Sequence, residues 1–310
     1  MSLIQYFKSN GKNGFGYGST AERVTEEISL KGKNILLTGC NSGLGKETLR
    51  VLSLRGARII GTARTLEKAA SAINEVGSKT DFPLACDLTD PKSIKVCVDT
   101  IKKGGKKLDA IICNAGIMAL PKLEQAFGYE LQFFTNHIGH FILVTGLLSE
   151  LSPSARVVML SSSAHGMAPA EGIEFDNLDG KKNYRPWRAY GQSKFANLLF
   201  AKELARQFEG TKKTANAVHP GVIHTNLGRH MNIVGQFGFR LGSSLFMKSI
   251  AQGAATQCYA AVHPEMNSIS GAYLADCNIA KSRPDADNVE LAKKLWVTSE
   301  KIVAGLKSIK

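Results

Sequence analysis

The sequence predicts an α/β fold in which helices cover both faces of a doubly wound parallel sheet of about seven strands. Two observations lead to this prediction. Short runs rich in β-branched residues alternate with helix-length segments along residues 34–305, and the runs are apolar without strict alternation. Continuous apolar runs are typical of parallel strands buried between two helical layers, and the alternation of strand and helix is typical of doubly wound sheets.

Seven runs are the predicted strands. In chain order they are "NILLTG" (34–39), "ARIIGTA" (57–63), "FPLACDL" (82–88), "DAIICNAG" (109–116), "ARVVMLSS" (155–162), "ANAVHPGV" (215–222) and "GAYLAD" (271–276). No Pro/Gly/Ser-rich linker or change of composition separates them. We therefore expect residues 34–310 to form a single domain of the Rossmann type.

Two segments fall outside the alternation of strands and helices. Residues 1–33 contain the glycine-rich stretch "GKNGFGYGST", and we expect this N-terminal extension to lie on the surface or to fray. Residues 226–255 form a long, apolar, glycine-rich insertion that we expect to act as a lid over a substrate. The large apolar residues of the insertion either line a substrate pocket or pack as ordinary core, and they are Phe237, Phe239, Leu241, Leu245, Phe246 and Met247. Trp187, outside the insertion, is a second candidate for a wall of that pocket.

Composition narrows the class of protein. The chain has 310 residues with 44% hydrophobic and 21% charged composition, which is ordinary for a globular protein. It lacks both an apolar run of roughly 18 residues and a basic-then-apolar N-terminus, so we expect an intracellular, soluble, cytoplasmic protein. The six cysteines show no close ligand spacing, which favours reduced thiols over a zinc site or disulfides.

The net charge of +13 is compatible with nucleic acid, an anionic membrane surface or an anionic ligand as the partner. The lysines lie in scattered pairs without interleaved aromatic residues or a nucleic-acid motif. We therefore expect mainly solvated surfaces and no nucleic-acid partner. A peripheral contact with anionic membranes is a further use of this charge, and flotation with anionic vesicles would test it.

The loop after the first strand reads "TGCNSGLGKET" and opens a helix. Its three glycines permit a tight turn and a close approach of the backbone to a pyrophosphate, whose charge the free N–H groups of the helix would meet. We expect dinucleotide binding here, with a ligand-free glycine turn as the alternative. The residues in this prediction are Gly39, Asn41, Ser42, Gly43, Leu44 and Gly45.

The end of the second strand indicates which dinucleotide binds. NAD-selective sites usually place a carboxylate there to bind the ribose hydroxyls. Here the strand ends in "GTARTLEK", with Arg64 in that place and Lys68 one turn later. A cation suits a 2′-phosphate, whereas a carboxylate would repel it. The sequence thus predicts NADP(H) as the cofactor, and Arg64 as an ordinary surface residue is the alternative.

Two further strand ends supply candidate cofactor contacts, because open α/β sheets bind ligands at the carboxyl ends of their strands. The stretch "CDLTD" offers Asp87 and Leu88. Asp87 either accepts a hydrogen bond from the adenine amino group or caps the helix that begins near Pro91. The fourth strand ends in "NAG", which is Asn114, Ala115 and Gly116.

The stretch "YGQSK" places Tyr190 and Lys194 one helical turn apart. Reduction of a carbonyl needs a proton donor, and a phenol with a pKa of about 10 is a poor one at neutral pH. We expect the ammonium, together with an oxidised nicotinamide, to lower that pKa. The stretch "LSSSAHG" supplies hydroxyls that either hold the substrate oxygen or cap a turn.

Taken together, these motifs resemble those of the short-chain dehydrogenase/reductase family over nearly all of residues 31–305. The matching motifs are "TGCNSGLG", "CNAG", "TNHIGHF", "SSS", "YGQSK" and "HPGVIHT". The stretches "TNHIGHFILV", "YGQSKFANLLFAKEL" and "GAYLADCNIA" are similar to the branch that contains retinol dehydrogenases and the reductase domain of WW-domain oxidoreductases.

The resemblance implies roles for individual residues. Tyr190 would be the general acid/base, Lys194 would bind the nicotinamide ribose and lower the tyrosine pKa, and Ser162 would hold the substrate oxygen. Asn136 would complete a water-linked proton relay with Lys194, and Thr225 would bind the nicotinamide carboxamide or the pyrophosphate. Further cofactor contacts would come from the turn that precedes Thr225, at Pro220, Gly221 and Val222.

The sequence therefore predicts an NADP(H)-dependent oxidoreductase that interconverts a hydrophobic carbonyl compound and its alcohol, such as a retinoid, a steroid or an aliphatic aldehyde or ketone. An NADPH-binding sensor or scaffold with little turnover is the alternative. His137 and His140 lie three residues apart on a helix, but without an adjacent carboxylate we expect no metal. A homodimer is compatible with the resemblance.

Overall fold

An eight-stranded sheet with helices on both faces forms the centre of the molecule in the computed structural model, which describes residues 9–223 and 247–307. The strand order is β3-β2-β1-β4-β7-β8-β9-β10. The sheet strands are β1 (Asn34–Thr38), β2 (Arg58–Ala63), β3 (Phe82–Ala85), β4 (Leu108–Cys113), β7 (Leu151–Leu160), β8 (Thr214–His219), β9 (Tyr273–Ala275) and β10 (Asn278–Ile279). A separate hairpin consists of β5 (Gln125–Ala126) and β6 (Tyr129–Glu130).

The seven predicted strands are confirmed as β1, β2, β3, β4, β7, β8 and β9, and all pairings among these seven are parallel. The eighth strand, β10, pairs antiparallel with β9 at the edge of the sheet. The sequence did not indicate β10, because two residues are too few to show a hydrophobic period.

Helices connect the parallel strands. They are α1 (Gly43–Leu54), α2 (Leu66–Val76), α3 (Pro91–Lys103), α4 (Leu131–Phe133), a π-helical turn (Phe134–Ile138), α5 (Gly139–Gly146), α6 (Pro186–Gln207), α7 (Ile250–Val262) and α8 (Val289–Lys307). Short 3-10 turns lie at Arg23–Thr25, Leu148–Glu150, Ser163–Met167, Pro264–Met266 and Pro284–Asp287. None of the helices in the described ranges combines the length and apolar character needed to cross a bilayer.

Local sequence signals set several helix ends. Thr65 caps α2 by accepting a hydrogen bond from the first-turn backbone, and Gly77 ends the same helix with a left-handed φ of 75°. Asp90 caps α3, whose first residue is a proline. Ser249 and Gln252 form a capping box at the start of α7. These caps fix where α2, α3 and α7 begin and where α2 ends.

Two apolar clusters form the core, one on each face of the sheet. Residues of α3, α5, α6 and α8, among them Ile94, Leu198 and Leu295, are fully buried on one face. Residues of α1 and α7, among them Leu49 and Ala255, are fully buried on the other. Burial on both faces explains why the strand sequences are apolar throughout.

The N-terminal extension packs more closely than the sequence led us to expect. Within residues 9–33, Ala21 and Val24 are buried in the second cluster. The backbone N–H of Ala21 donates to the carbonyl of Ala251 in α7 at 2.9 Å, and Asn13 Nδ2 donates to the carbonyl of Cys277 at 2.8 Å. Small apolar residues here fit against α7, so residues 9–33 run along the surface with Ala21 and Val24 packed into the core, and they are not a frayed end.

The predicted insertion ends earlier than expected, because residues 250–255 belong to α7. The small residues that suggested a loop instead permit close helix packing. A Cβ added at Gly253 would lie 2.4 Å from Ile223 Cδ1 and 2.7 Å from Leu44 Cδ2. Met247 is partly buried. The other candidate pocket residues lie outside the described residues, and they are Phe237, Phe239, Leu241, Leu245 and Phe246.

We expect Gly45→Ala to lower the free energy of unfolding by roughly 1–3 kcal/mol or more. An added Cβ there would lie 2.0 Å from the carbonyl oxygen of Gly39 and 2.6 Å from Asn114 Nδ2. Gly305→Ala in α8 is the matched control, because its Cβ would meet nothing within 4 Å, and we expect it to stabilise by about 0.5–1 kcal/mol. Urea unfolding measures both variants, and an unchanged midpoint for Gly45→Ala would contradict this prediction.

Candidate active site

A cleft of about 480 Å³ opens at the carboxyl ends of the parallel strands. It includes the loops that follow β1 and β4, the neighbouring strands between which the strand order reverses. Open α/β sheets bind ligands at such a switch point. Most of the predicted cofactor contacts line this cleft, namely Gly39, Asn41, Ser42, Gly43, Leu44, Gly45, Arg64, Asp87, Leu88, Asn114, Ala115, Gly116, Tyr190, Lys194 and Pro220.

The glycine loop has the geometry that a phosphate group requires. Gly39 and Gly43 have left-handed φ angles of 69° and 52°, which a side chain would strain. Ser42 occupies the N-cap of α1, but its side chain makes no capping hydrogen bond. The first backbone N–H groups of α1 therefore lie at the cleft without a side-chain cap, and the positive end of the helix suits a pyrophosphate.

Two cations lie at the end of the cleft next to β2. Arg64 and Lys68 both line it. In the part of the chain that the structure describes, neither side chain forms an ion pair. Their charges are therefore not neutralised by a neighbouring described carboxylate. This arrangement fits the 2′-phosphate of NADP(H).

The two alternatives for Asp87 are separated by the structure. Asp90, not Asp87, caps α3, with its Oδ1 accepting from the backbone N–H of Lys92 at 2.9 Å. Asp87 Oδ1 instead accepts from the backbone N–H of Thr89 at 2.9 Å and from its hydroxyl at 2.7 Å. This local turn holds the Asp87 carboxylate at the cleft wall.

Tyr190 and Lys194 lie one turn apart on α6, and both side chains are buried. Lys194 Nζ donates to the carbonyl of Leu160, the last residue of β7, at 3.1 Å. The same Nζ lies 5.6 Å from the centroid of the Tyr190 ring. The Tyr190 hydroxyl is hydrogen-bonded to Ser162. The structure thus brings three of the four predicted catalytic side chains together: Tyr190 and Lys194 line the cleft, and Ser162, outside the lining, bonds Tyr190.

Burial has the largest effect on the pKa values of Tyr190 and Lys194. It raises the pKa of Tyr190 to about 12, against a smaller lowering by the hydrogen bond with Ser162. It lowers the pKa of Lys194 from 10.5 to about 8. We expected the Tyr190 pKa to be lowered with an oxidised nicotinamide present. In the protein without cofactor, the pKa is raised instead, because desolvation of the phenolate outweighs the stabilisation that the phenolate receives.

The three adjacent serines have different positions. Ser161 Oγ donates to the carbonyl of Lys194 at 2.7 Å and so ties β7 to α6. Ser163 is exposed. Ser162 both caps the following 3-10 turn and bonds Tyr190. The capping interpretation therefore holds for Ser162, and its contact with the substrate oxygen stays a prediction. Of the three serines, Ser162 is the one that bonds the Tyr190 hydroxyl.

Asn136 lies in the π-helical turn and is fully buried. Its Oδ1 accepts from the backbone N–H of Ile117 at 2.9 Å, and its Nδ2 donates to the Ile117 carbonyl at 3.0 Å and to Ser193 Oγ at 2.9 Å. A Cβ added at Gly116 would lie 3.0 Å from Asn136 Oδ1 and 3.4 Å from Lys194 Nζ. Asn136 and Lys194 therefore lie on the same side of the "NAG" turn, and the Asn136 side chain holds that turn.

The turn after β8 contributes less to the cleft than predicted. Pro220 lines it, whereas Gly221 and Val222 are not among the lining residues, and Thr225 lies outside the described residues. Gly221 instead packs on a buried lysine, since an added Cβ would lie 2.7 Å from Lys248 Cδ. The backbone N–H of Lys248 donates to the Val222 carbonyl at 2.9 Å. These contacts hold the turn from the side of the N-terminus of α7.

Sequence reasoning missed part of the cleft wall. The missed residues are Ala63, Cys86, Thr89, Ile117, Met118, Leu120, Glu124, Leu131, Thr135 and Leu160. Many of them directly follow the "NAG" end of β4 or begin α4. Their position after a strand that ends at the switch point was the available signal.

His137 and His140 are both buried and hydrogen-bonded. His137 Nε2 lies 2.8 Å from Ser299 Oγ, and His140 Nε2 lies 2.9 Å from Thr38 Oγ1. Burial lowers their pKa values to about 3 and about 4, so both rings are neutral at physiological pH. No group of three His, Cys, Asp or Glu side chains within residues 9–223 and 247–307 is placed to hold a metal ion.

Comparison with known proteins assigns the family. The family model described as short chain dehydrogenase matches residues 33–233. The chain belongs to the short-chain dehydrogenase/reductase family. Among curated relatives, it is 42% identical to short-chain dehydrogenase TIC 32 A, chloroplastic, of Brassica napus, with 96% of each chain covered. It is 40% identical to retinol dehydrogenase 12 of Mus musculus, with 89% of this chain and 87% of the relative covered.

Solved structures support the same fold. A protein from Mycobacterium paratuberculosis is 31% identical, covers 93% of this chain and 98% of its own, and superposes with a TM-score of 0.74. A short-chain dehydrogenase from Burkholderia cenocepacia, solved in complex with NADP, has a TM-score of 0.63 at 21% identity and covers 80% of this chain and 97% of its own. The sequence-based assignments of family, retinol dehydrogenase-like branch and Rossmann-type sheet are therefore confirmed.

We expect Lys194→Met to raise the free energy of unfolding at pH 7 by up to roughly 3 kcal/mol, because it removes a charge whose pKa burial lowers to about 8. Below pH 8 the folded and unfolded chains both carry this proton, so the wild type bears the full desolvation cost. Between about pH 8 and 10.5 the unfolded chain holds more protons, wild-type stability rises, and the difference shrinks.

Urea unfolding at pH 7 and pH 10 measures this difference. The Leu160 carbonyl keeps a donor in the variant, because Asn197 Nδ2 also bonds it at 3.0 Å. Lys95→Met is the control, since the Lys95 side chain is 74% exposed. A Lys194→Met protein less stable than the wild type at pH 7, or a difference independent of pH, would show that burial does not penalise this charge.

Proposed function

We propose that this protein is an NADP(H)-dependent oxidoreductase that interconverts a hydrophobic carbonyl compound and its alcohol through Ser162, Tyr190, Lys194 and Asn136. The observation that carries this proposal is the burial of Tyr190 and Lys194 in a cleft that the glycine loop at the N-terminus of α1 also lines. When bound, the nicotinamide would supply or take the hydride. The protein must then bind the carbonyl oxygen, orient it and move one proton.

Tyr190 provides the proton. Burial raises its pKa to about 12, so in the protein without cofactor the phenol holds its proton throughout the physiological range. Transfer of that proton requires a lower pKa, which we assign to the Lys194 ammonium together with an oxidised nicotinamide. The hydrogen bond with Ser162 places a second hydroxyl at the same point. A substrate oxygen in contact with both groups would receive the Tyr190 proton while Ser162 holds it. The neighbouring Lys194 ammonium stabilises the phenolate that remains.

Lys194 and Asn136 connect the phenol to the interior of the site. The Lys194 pKa of about 8 keeps its ammonium protonated at pH 7 but allows it to give up a proton more easily than an exposed lysine. Both residues lie against Gly116. Ile117 and Ser193 hold the Asn136 side chain. The Asn136 main-chain carbonyl accepts one hydrogen bond, from His140 Nδ1, and can accept a second, so it is the group we assign to the relay.

The substrate end favours an apolar compound. Ile117, Met118 and Leu131 line the cleft, together with the polar Glu124 and Thr135. Trp187, the predicted second pocket wall, lies outside this lining, and its ring meets the Tyr190 ring edge-on at 6.1 Å between centroids. Substrate pockets with mostly apolar walls and few polar groups bind apolar molecules that a small number of hydrogen bonds orient. The names of the retinol dehydrogenase relatives agree with this chemistry. We therefore propose retinoids, steroid ketones or aliphatic aldehydes and ketones as the substrate class.

Arg64→Ala tests the choice of NADP(H). We expect about 10–100-fold weaker binding of NADPH and little change for NADH, because a charge-assisted hydrogen bond contributes about 1.5–3 kcal/mol. Lys95→Ala, which removes an exposed cation far from the cleft lining, is the control. Fluorescence titration with both cofactors gives the dissociation constants. Unchanged binding of both would leave Arg64 an ordinary surface residue, and an equal loss for NADPH and NADH would show that it does not select the 2′-phosphate.

Tyr190→Phe tests the reaction. We expect about 10²–10⁴-fold slower NADPH oxidation with a panel of retinal, steroid ketones, aliphatic aldehydes and quinones, because the proton donor is lost. NADPH affinity should stay within about 3-fold, since the phenyl ring remains in place. Tyr129→Phe is the control, because Tyr129 lies in the β5–β6 hairpin, outside the cleft lining.

Two other outcomes would change the conclusion. Equal turnover in the wild type and Tyr190→Phe would remove Tyr190 from the mechanism. Tight NADPH binding without Tyr190-dependent turnover on any member of the panel would favour the NADPH-binding sensor or scaffold instead.

A further inference from the structure

A chain of buried hydrogen bonds leads from β1 to Asn136 through one histidine. Thr38 and His140 are 1% and 0% exposed. Thr38 Oγ1 lies 2.9 Å from His140 Nε2, and His140 Nδ1 lies 2.9 Å from the main-chain oxygen of Asn136. The backbone N–H of Ala115, in the "NAG" turn, donates to the same Thr38 hydroxyl at 3.0 Å. Four groups from three parts of the chain are thus linked in series.

The direction of every bond in this chain is determined by chemistry. A carbonyl oxygen can only accept, so His140 Nδ1 carries the hydrogen that Asn136 receives. Because burial lowers the His140 pKa to about 4, the ring is neutral and its Nε2 is an acceptor. The Thr38 hydroxyl therefore donates to Nε2, the closest acceptor, rather than to the Ile112 carbonyl at 3.5 Å. Its own oxygen accepts from Ala115.

We propose that His140 is a positioning residue for proton delivery, which holds the main-chain carbonyl of Asn136 and couples it through Thr38 to the turn that lines the cofactor cleft. This inference rests on the proposed function, because the Asn136 carbonyl is the relay group there. His140 itself does not line the cleft and touches neither Tyr190 nor Lys194 through a hydrogen bond. Its effect acts through the placement of Asn136.

The two hydrogen bonds also explain why the polar His140 ring is buried deep in an apolar layer. The Ile138 and Phe141 side chains next to it belong to the apolar cluster on that face of the sheet. Pairing both ring nitrogens stabilises an imidazole buried there, since an unpaired buried polar group is costly; the neighbouring His137 leaves its Nδ1 without a hydrogen-bond partner among the described residues. Both His140 nitrogens are satisfied by groups on which the site depends, one in β1 and one in the π-helical turn. The neighbouring His137 bonds Ser299 in α8 instead.

Two substitutions separate the two bonds of His140. His140→Asn retains a donor at about the place of Nδ1 and loses the contact with Thr38. His140→Gln retains a polar atom at about the place of Nε2 and loses the short donor to Asn136. We expect His140→Gln to lower kcat about 10–100-fold, because small displacements of a relay group are costly, and His140→Asn to stay within about 3-fold. The NADPH dissociation constant should change less than about 3-fold in both.

The measurements are NADPH oxidation at saturating cofactor with the best substrate of the panel above, NADPH titration, and unfolding of each variant. His137→Gln is the control, and we expect it to lower stability but leave kcat of the folded protein unchanged. Equal kcat losses in His140→Asn and His140→Gln, or the same loss in His137→Gln, would overturn the proposal, because a general packing defect would then explain them.

Nitrogen NMR of imidazole-labelled wild type gives a readout that needs no turnover. We expect His140 to be the neutral tautomer protonated at Nδ1 across pH 6–8. A tautomer protonated at Nε2 would overturn the hydrogen-bond chain whatever the kinetics. Wild-type protein without turnover would overturn the proposed function and with it the role in proton delivery, and the NMR result would show separately whether the chain of bonds exists.

Discussion

The close approach of α1 to the ends of β1 and β4 is the constraint on which the cleft depends. A Cβ at Gly45 would lie 2.0 Å from the carbonyl oxygen of Gly39, so backbone meets backbone there with no side chain between. Asn114 holds the contact from the other strand by donating to the carbonyl of Thr38 at 2.8 Å. Because the strand order reverses at this place, the helix N-terminus and the ends of β2, β4 and β7 meet around one opening.

Buried polar side chains fix the position of the reacting groups behind that opening. Asn136 is bonded to Ile117, and Ser161 ties the end of β7 to the carbonyl of Lys194. Each bond joins two elements that apolar contacts alone would allow to shift, and a broken bond would leave a buried polar group at a cost of about 1–3 kcal/mol. The network therefore gives α6 one register against the sheet. Lys194 is the exception, since its charge is desolvated without a carboxylate hydrogen-bonded to it.

Much of this could be predicted from sequence because the decisive patterns are local. Apolar runs identify the strands, and side chains at their carboxyl ends, such as Arg64 and Asp87, reach one cleft because parallel strands end at one edge. Features that depend on a distant partner could not be predicted. Asp87 and Asp90 both precede α3, and only the folded backbone decides that Asp90 is the cap. The small residues near Gly253 resemble a loop until α1 is placed against them.

The pKa values in the site likewise could not be predicted from spacing, because they depend on burial. They bear on the direction of the proposed reaction. Spacing places an ammonium beside the phenol, which by itself favours a lowered Tyr190 pKa, but burial of the ring raises it to about 12. With the Lys194 pKa at about 8, both groups are protonated at pH 7 in the protein without cofactor. In the proposed reaction, reduction of a carbonyl consumes a proton at this point, and the protonated state agrees with that direction. Alcohol oxidation needs the phenolate, which requires a further positive charge close to Tyr190 to offset its desolvation.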